Sequence, residues 1–251
     1  MKPVKFLFIS DLHCPLIDLQ SMEYVYKRIG EYKPDEIIIG GDLFEADSAS
    51  RWPSEHDFTL ADEFKCANEI LANIRKSAGK SKLIFLPGNH DDNIIGINRI
   101  DKKLRGLCDY RNGANVPELQ NWLQPCKYIY DRKRGSYKIG QVVFSHGYEA
   151  NATSGRVEAV YMANEYGLYV HGHTHRPHEV KQAMLTGGVP LRFWYANAGT
   201  LRQFDCDYMM RKRQALWGSA IITGEAMPIK SPRIGKQWSA QTEIFKMYNE
   251  D

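Results

Sequence analysis

Five short stretches of the chain are apolar at nearly every successive position: Val4–Ile9, Glu36–Ile39, 83–86, Val142–Phe144 and 168–170. A strand with one wet face alternates apolar and polar residues. A run that is apolar throughout has both faces covered, as strands do in a parallel sheet flanked by helices. Apolar residues at helical spacing lie between the first three runs: Leu19, Met22, Tyr26 and Ile29, then Leu60, Phe64, Ala67, Leu71 and Ile74. After the third run Ile97, Ile100, Leu104 and Leu107 continue the pattern, with Asp91 or Asp92 as N-cap. Strand and helix in alternation predict βαβ units. The second half is richer in strands. A hairpin is expected from 127–130 and 136–139, with further strands at 180–185, 191–196 and 216–223 and a turn at Gly187-Gly188. A βαβ half followed by a strand-rich half fits two packed sheets flanked by helices.

No repeat, low-complexity tract or long linker divides the chain, so one domain is expected over 1–223, with 224–251 a tail of unassigned role. The 251 residues are 43% hydrophobic and 25% charged, ordinary for a globular chain, which excludes disordered and fibrous classes. No apolar run approaches the ~18 residues of a membrane helix. The N-terminal apolar run meets Asp11 too soon to form a signal-peptide core, so the expectation is a cytoplasmic protein without a membrane partner. Five cysteines without a Cys-x-x-Cys pair fit free thiols in a reducing compartment. The net charge of +3 is uneven, −3 over residues 1–125 and +6 over 126–251, which permits an anionic substrate without requiring one.

Each of the five predicted strands is followed at once by residues able to ligate a metal. In order these are Asp11-Leu12-His13, Gly41-Asp42, Gly88-Asn89-His90-Asp91, His146-Gly147 and Gly172-His173-Thr174-His175. In α/β sheets ligands bind beyond the carboxyl ends of the strands. Five such strands in one region gather Asp11, His13, Asp42, Asn89, His146, His173 and His175. Carboxylate and amide oxygens with imidazole nitrogens, and no thiolate, suit Mn2+, Fe or Zn2+ rather than Ca2+ or an iron–sulfur cluster. Seven side chains are too many for one ion and enough for two that share a carboxylate. Gly41, Gly88 and Gly172 are expected to let the backbone bend sharply beside the ligands.

This order of blocks resembles the calcineurin-like metallophosphoesterases, and it runs from Asp11 to His175, about two-thirds of the chain. The resemblance implies an α/β fold, a four-layer α/β/β/α sandwich of two mixed sheets flanked by helices, with a dinuclear metal centre. Asp11, His13, Asp42 and His175 would hold one ion. Asp42, Asn89, His146 and His173 would hold the other, with Asp42 bridging. Manganese is the first expectation, with Fe, Zn2+ or Ni2+ as alternatives. The implied reaction is in-line attack on phosphorus by a bridging metal-bound hydroxide, with His90 a catalytic residue over the substrate rather than a ligand.

The substrate reading is a phosphodiesterase or phosphomonoesterase acting on a small or nucleotide substrate. A DNA-directed nuclease is the alternative, because Gly41-Asp42-Leu43-Phe44 is similar to the matching block of repair nucleases. A non-catalytic interaction scaffold on the same fold comes third. Protein phosphatases and symmetrical dinucleoside-polyphosphate hydrolases carry Asp-Arg-Gly shortly after the Gly-Asp block. Residues 41–48 contain no arginine, and the third block ends in Asp91 rather than Glu, which argues against both. Asp91 would either orient the His90 ring or cap the next helix. Arg176, just after the last ligand, is a candidate substrate-binding residue. His171 reads as a strand end, and His56 and His178 as surface residues. Asn197-Ala198-Gly199-Thr200 reads as a turn near the site. Arg51-Trp52-Pro53 and the basic triplets 132–134 and 211–213 are candidates for substrate or nucleic-acid contact, with loop packing and solvated turns as the plainer readings.

Overall fold

Strand β1 (Val4–Ile9) shows why the apolar runs are continuous: Phe6 and Phe8 pack on one side of it, Leu7 and Ile9 on the other, and all four are fully buried. The computed structural model describes residues 2–50, 56–100, 135–150, 155–162, 166–184, 192–204, 216–228 and 235–248. β2 (Glu36–Ile39) and β3 (Lys82–Phe85) extend β1 in parallel. Two helices fill the crossovers. In α1 (Leu19–Tyr32) Met22, Val25 and Ile29 face the sheet, while Leu19, counted as a core position from its spacing, is 64% exposed at the first helical position. α2 (Leu60–Ala78) starts with a capping box between Thr59 and Asp62 and buries Ala67, Ile70, Leu71 and Ile74. α3 (Asn89–Ile100) follows β3. It begins earlier than the caps read from sequence, so Asp91 and Asp92 lie in its first turn and Gly88 precedes it. Leu104 and Leu107 lie outside the described residues.

The second sheet is built from the later strands. β4 (Tyr137–Ile139) hairpins onto β5 (Val142–Phe144), and the expected partner segment 127–130 lies outside the described residues. β6 (Gly167–His171) runs parallel to β5. β7 (His178–Met184) is antiparallel to β8 (Arg192–Asn197), which is parallel to β6. The strand order is β4-β5-β6-β8-β7. The turn expected at 187–188 also lies outside the described residues. The remaining strands, β9 (Gly218–Ala226) and β10 (Trp238–Met247), return to the first sheet and give it the order β10-β9-β1-β2-β3. The sequence pattern assigns no element to 224–251, yet there the chain adds an edge strand.

Three apolar layers hold these parts together. Leu7, Ile9, Ile37, Ile39 and Phe85 meet α1 and α2. Phe6, Phe8, Ile38, Ile84 and Leu86 meet Ile139, Phe144, Leu168, Val170 and Ala196 across the gap between the sheets. Val143, Tyr169 and Phe193 meet Ala159 of α4 (Arg156–Met162) on the far side. The result is the α/β/β/α sandwich, two mixed five-stranded sheets with helices outside. Phe144 stands edge-on to Phe6 at 5.0 Å and stacks on Phe8 at 6.0 Å, so it welds the sheets just below the loops that follow β1 and β5. Truncating such a ring to alanine costs about 3–5 kcal/mol.

Candidate metal centre

The loops beyond β1, β2 and β6 turn back on themselves through left-handed residues. Asp11, His13, Asp42, His173 and His175 have φ of 57°, 51°, 49°, 71° and 58°. Asp and His tolerate this region better than most side chains, yet each such residue still stores about 1 kcal/mol. Backbone bonds lock the loops to one another: Asp11 N–H donates to Gly41 O at 3.0 Å, His13 N–H to Asp42 O at 2.9 Å and Gly172 N–H to His146 O at 3.0 Å. The glycines act differently from the expectation. Of Gly41, Gly88 and Gly172 only the first has a positive φ, as expected for a sharp bend. At Gly88 a Cβ would lie 2.1 Å from Asp42 Oδ1, and at Gly172 it would lie 2.1 Å from Asp11 Oδ2. Their service is close approach, with the neighbouring carboxylate seated where a side chain would be.

All seven candidate ligands arrive in one place. His175 Nε2 is 3.1 Å from Asp11 Oδ1 and 3.1 Å from His13 Nε2. His13 Nε2 is 3.9 Å from both Asp11 Oδ1 and Asp42 Oδ2. On the other side His146 Nε2 is 3.2 Å from Asp42 Oδ2 and 3.1 Å from Asn89 Oδ1. Ligand atoms of Asp11, His13 and His175, and of Asp42, His146 and His173, form two sets within 4.8 Å. Asp42 lies between them. His90 joins His13 and Asp42 in a third such set, its ring edge-on to His13 at 4.7 Å.

Two buried carboxylates side by side call for positive charge. Burial would raise Asp11, but the hydrogen bond from His175 and the charge of His146 outweigh it and hold the carboxyl at about 2. Burial would lower His146, but Asp42 and Asp11 drive it up to about 10. Its Nδ1 donates to Gly40 O at 2.9 Å, which aims Nε2 at the cluster. Burial instead pushes His173 and His175 down to about 4, leaving both imidazoles neutral. This donor set, imidazole nitrogens facing carboxylate and amide oxygens at about 3 Å, fits divalent cations of the Mn2+ to Zn2+ kind, whose charge would take the place of the proton on His146.

Asp91 does cap the next helix, and it has a further job that neither sequence reading named. Fully buried, it accepts the backbone N–H groups of Asp42 (2.8 Å), Leu43 (3.1 Å), Phe44 (3.3 Å) and Gly88 (2.6 Å). It closes the first turn of α3 and pins the loop that carries Asp42. The His90 ring is held instead by the main-chain carbonyl of Glu45, to which Nδ1 donates at 2.5 Å. Three residues went unseen in the sequence. Glu45 accepts from His13 Nδ1 at 2.7 Å, Arg202 approaches Glu45 at 3.4 Å, and Trp217 packs edge-on against His175 at 4.1 Å.

The weaker assignments divide. Arg176 is half-buried with Nε lacking a hydrogen-bond partner among the described residues. His171 does end β6, and burial lowers it to about 4. His178 is no surface residue: it tilts against His171, meets Tyr195 edge-on, and burial pushes it down to about 3. His56 is half-buried and stacked on Phe58 at 5.1 Å. The 197–200 turn lies close to the site, where Thr200 Oγ1 donates to Asp11 O at 2.8 Å and Asn197 Nδ2 to Gly172 O at 2.6 Å. Residues 51–53, 132–134 and 211–213 lie outside the described residues.

The family model described as calcineurin-like phosphoesterase matches residues 4–177. Gene 54 protein of Mycobacterium phage L5 is 24% identical over 258 residues, covering 97% of this chain and 99% of its own length. Among solved structures, a metallophosphoesterase from Sphaerobacter thermophilus is 18% identical with a TM-score of 0.47, covering 98% of this chain and 89% of that one. Yfce, a phosphoesterase from E. coli, is 14% identical with a TM-score of 0.41, covering 89% of this chain and 93% of that one.

Proposed function

The chain belongs to the calcineurin-like phosphoesterase family, and from that premise we propose that it is a metal-dependent hydrolase of phosphate esters, a phosphodiesterase or phosphomonoesterase of small or nucleotide substrates. One observation carries the reading: two buried carboxylates and four imidazoles converge with an amide oxygen, their ligand atoms a few ångströms apart. Asp11, His13, Asp42 and His175 would hold one divalent ion and Asp42, Asn89, His146 and His173 the other, with Mn2+ the first choice. Such a pair supplies an activated water and neutralises charge on the phosphate.

The protein's own residues do the rest. Asp42 stands between the two ligand sets, and its Oδ1 accepts the His90 N–H at 2.9 Å, so the ligand loop and the catalytic loop move together. His90 Nδ1 is committed to Glu45 O, so Nε2 is the nitrogen left to hold or give a proton. Burial would lower His90, but Asp42 and Glu45 outweigh it and raise it above its ordinary value, which suits a proton donor to a leaving oxygen. His90 is half-buried and lies beside His13 and Asp42. No described helix is long and apolar enough to cross a membrane; cytoplasmic localisation is part of the proposal.

The test is to load the purified protein with Mn2+ and offer an aryl phosphate monoester, an activated diester, 2′,3′-cyclic nucleotides and single- and double-stranded DNA. Turnover of small esters is expected. DNA cleavage that weakens steeply with salt would move the assignment to a nuclease, and no turnover with any metal would leave a scaffold. Asp42→Asn should lose both ions and activity, whereas His90→Ala should keep the ions and lose turnover, as read by metal analysis beside rates.

A further inference from the structure

Glu45 belongs to none of the blocks that resemble the family, yet it touches both His13 and His90. It lies three residues beyond Asp42, with its side chain only 13% exposed. A carboxylate so placed needs partners, and it has two: His13 Nδ1 at 2.7 Å and Arg202 Nη1 at 3.4 Å. Arg202 is itself 4% exposed. Its backbone N–H donates to Thr200 Oγ1 at 3.2 Å, and that hydroxyl donates to Asp11 O. The contacts therefore close a ring, from Asp11 through Thr200, Arg202 and Glu45 to His13, two residues from where it began.

We propose that Glu45 is a positioning residue for the metal centre: its carboxylate fixes the His13 ring with Nε2 turned toward Asp11, Asp42 and His175, and Arg202 fixes the carboxylate. The inference rests on the reading of His13 as a ligand. Glu45 is well held for the task. Its N–H donates to Cys14 O at 3.0 Å. The preceding amides are gripped by Asp91, and the following one, on left-handed Ala46, donates to Glu63 Oε2 at 2.7 Å. An acceptor at Nδ1 sets the tautomer, so that the lone pair of Nε2 faces the ion, and it raises the basicity of that nitrogen. The other imidazole on the same ion lacks this support, since His175 Nδ1 is buried without a hydrogen-bond partner among the described residues. The Asp11–His13–His175 half of the centre thus leans on Glu45, whereas the His146 half leans on Gly40 O. The His90 contact uses the main-chain carbonyl of Glu45, so side-chain substitution leaves it in place.

The experiment titrates the metal-free full chain with Mn2+ alone, following free Mn2+ by electron paramagnetic resonance, for the unmodified protein, Glu45→Ala and Glu45→Gln, with a thermal melt of each. The unmodified protein should take up two ions. Glu45→Ala should weaken one of them about 10–100-fold and leave the other unchanged. Glu45→Gln keeps an acceptor for His13 Nδ1 and should recover most of that loss. Two unchanged affinities in Glu45→Ala would overturn the inference alone. So would an equal fall in both, or a loss that glutamine fails to recover while the melt stays at the parent temperature. No uptake by the unmodified protein would overturn it together with the reading of the site.

Discussion

Glu63 of α2 is fully buried, with Oε2 accepting the Ala46 N–H at 2.7 Å and Oε1 without a hydrogen-bond partner among the described residues. Burial raises its carboxyl to about 8, and the facing charges of Glu45 and Asp47 add to the rise against the pull of the Ala46 and Asp47 N–H groups; the Cys14 thiol is also within range. The folded pKa lies above the unfolded value of 4.5. The stability this group contributes is therefore present in full below pH 4.5 and is lost as pH rises through 8. At about 1.36 kcal/mol per pKa unit, the folded protein should lose on the order of 4 kcal/mol from this group by pH 8. Glu63→Gln keeps the shape and an acceptor for Ala46 but removes the ionisation. Urea unfolding of the two proteins, measured side by side from pH 5 to 8.5, cancels every other titrating group to first order. The variant should gain steadily on the parent as pH rises and surpass it by a few kcal/mol near pH 8. A difference that stays flat with pH, or runs the other way, would refute the reasoning.

Gly172→Ala puts a methyl group 2.1 Å from Asp11 Oδ2 and Ser10 Oγ; metal titration should show at least a tenfold weaker ion at the Asp11 side, with the melting temperature within a few degrees of the parent. Asp91→Ala leaves four buried N–H groups without their acceptor, at roughly 1–3 kcal/mol each; the urea midpoint should fall by the equivalent of at least 4 kcal/mol, and metal content should fall with it.

The candidate ligands were legible in the sequence because each follows directly on an apolar strand, so a local signature marks a place where distant loops meet. The same holds for β1, β2 and β5, whose faces are both buried. Glu45 carries no such mark. Its partner Arg202 is 157 residues away, and nothing local in either segment requires the pairing. Asp91 was visible as a residue, but the N–H donors it accepts from lie on a loop 47 to 49 residues distant, so only its capping role could be read. β10 escaped for another reason: it is an edge strand with a bulge between Ile244 and Lys246, which breaks the alternation a strand leaves in sequence. Leu19 fits the helical spacing, but the first helical position points past the sheet.

The left-handed backbone at Asp11, His13, Asp42, His173 and His175 has a consequence for how this sequence would drift. At each of those positions glycine would relax the chain by about 1 kcal/mol, and it would also discard a side chain that holds the site together. Backbone strain and side-chain chemistry thus pull in opposite directions at the same five positions. If the metal chemistry proposed above were no longer needed, each exchange for glycine would relieve strain but also remove buried hydrogen bonds, such as that of Asp42 Oδ1 with the His90 N–H, so these loops would be the first part of the molecule to loosen.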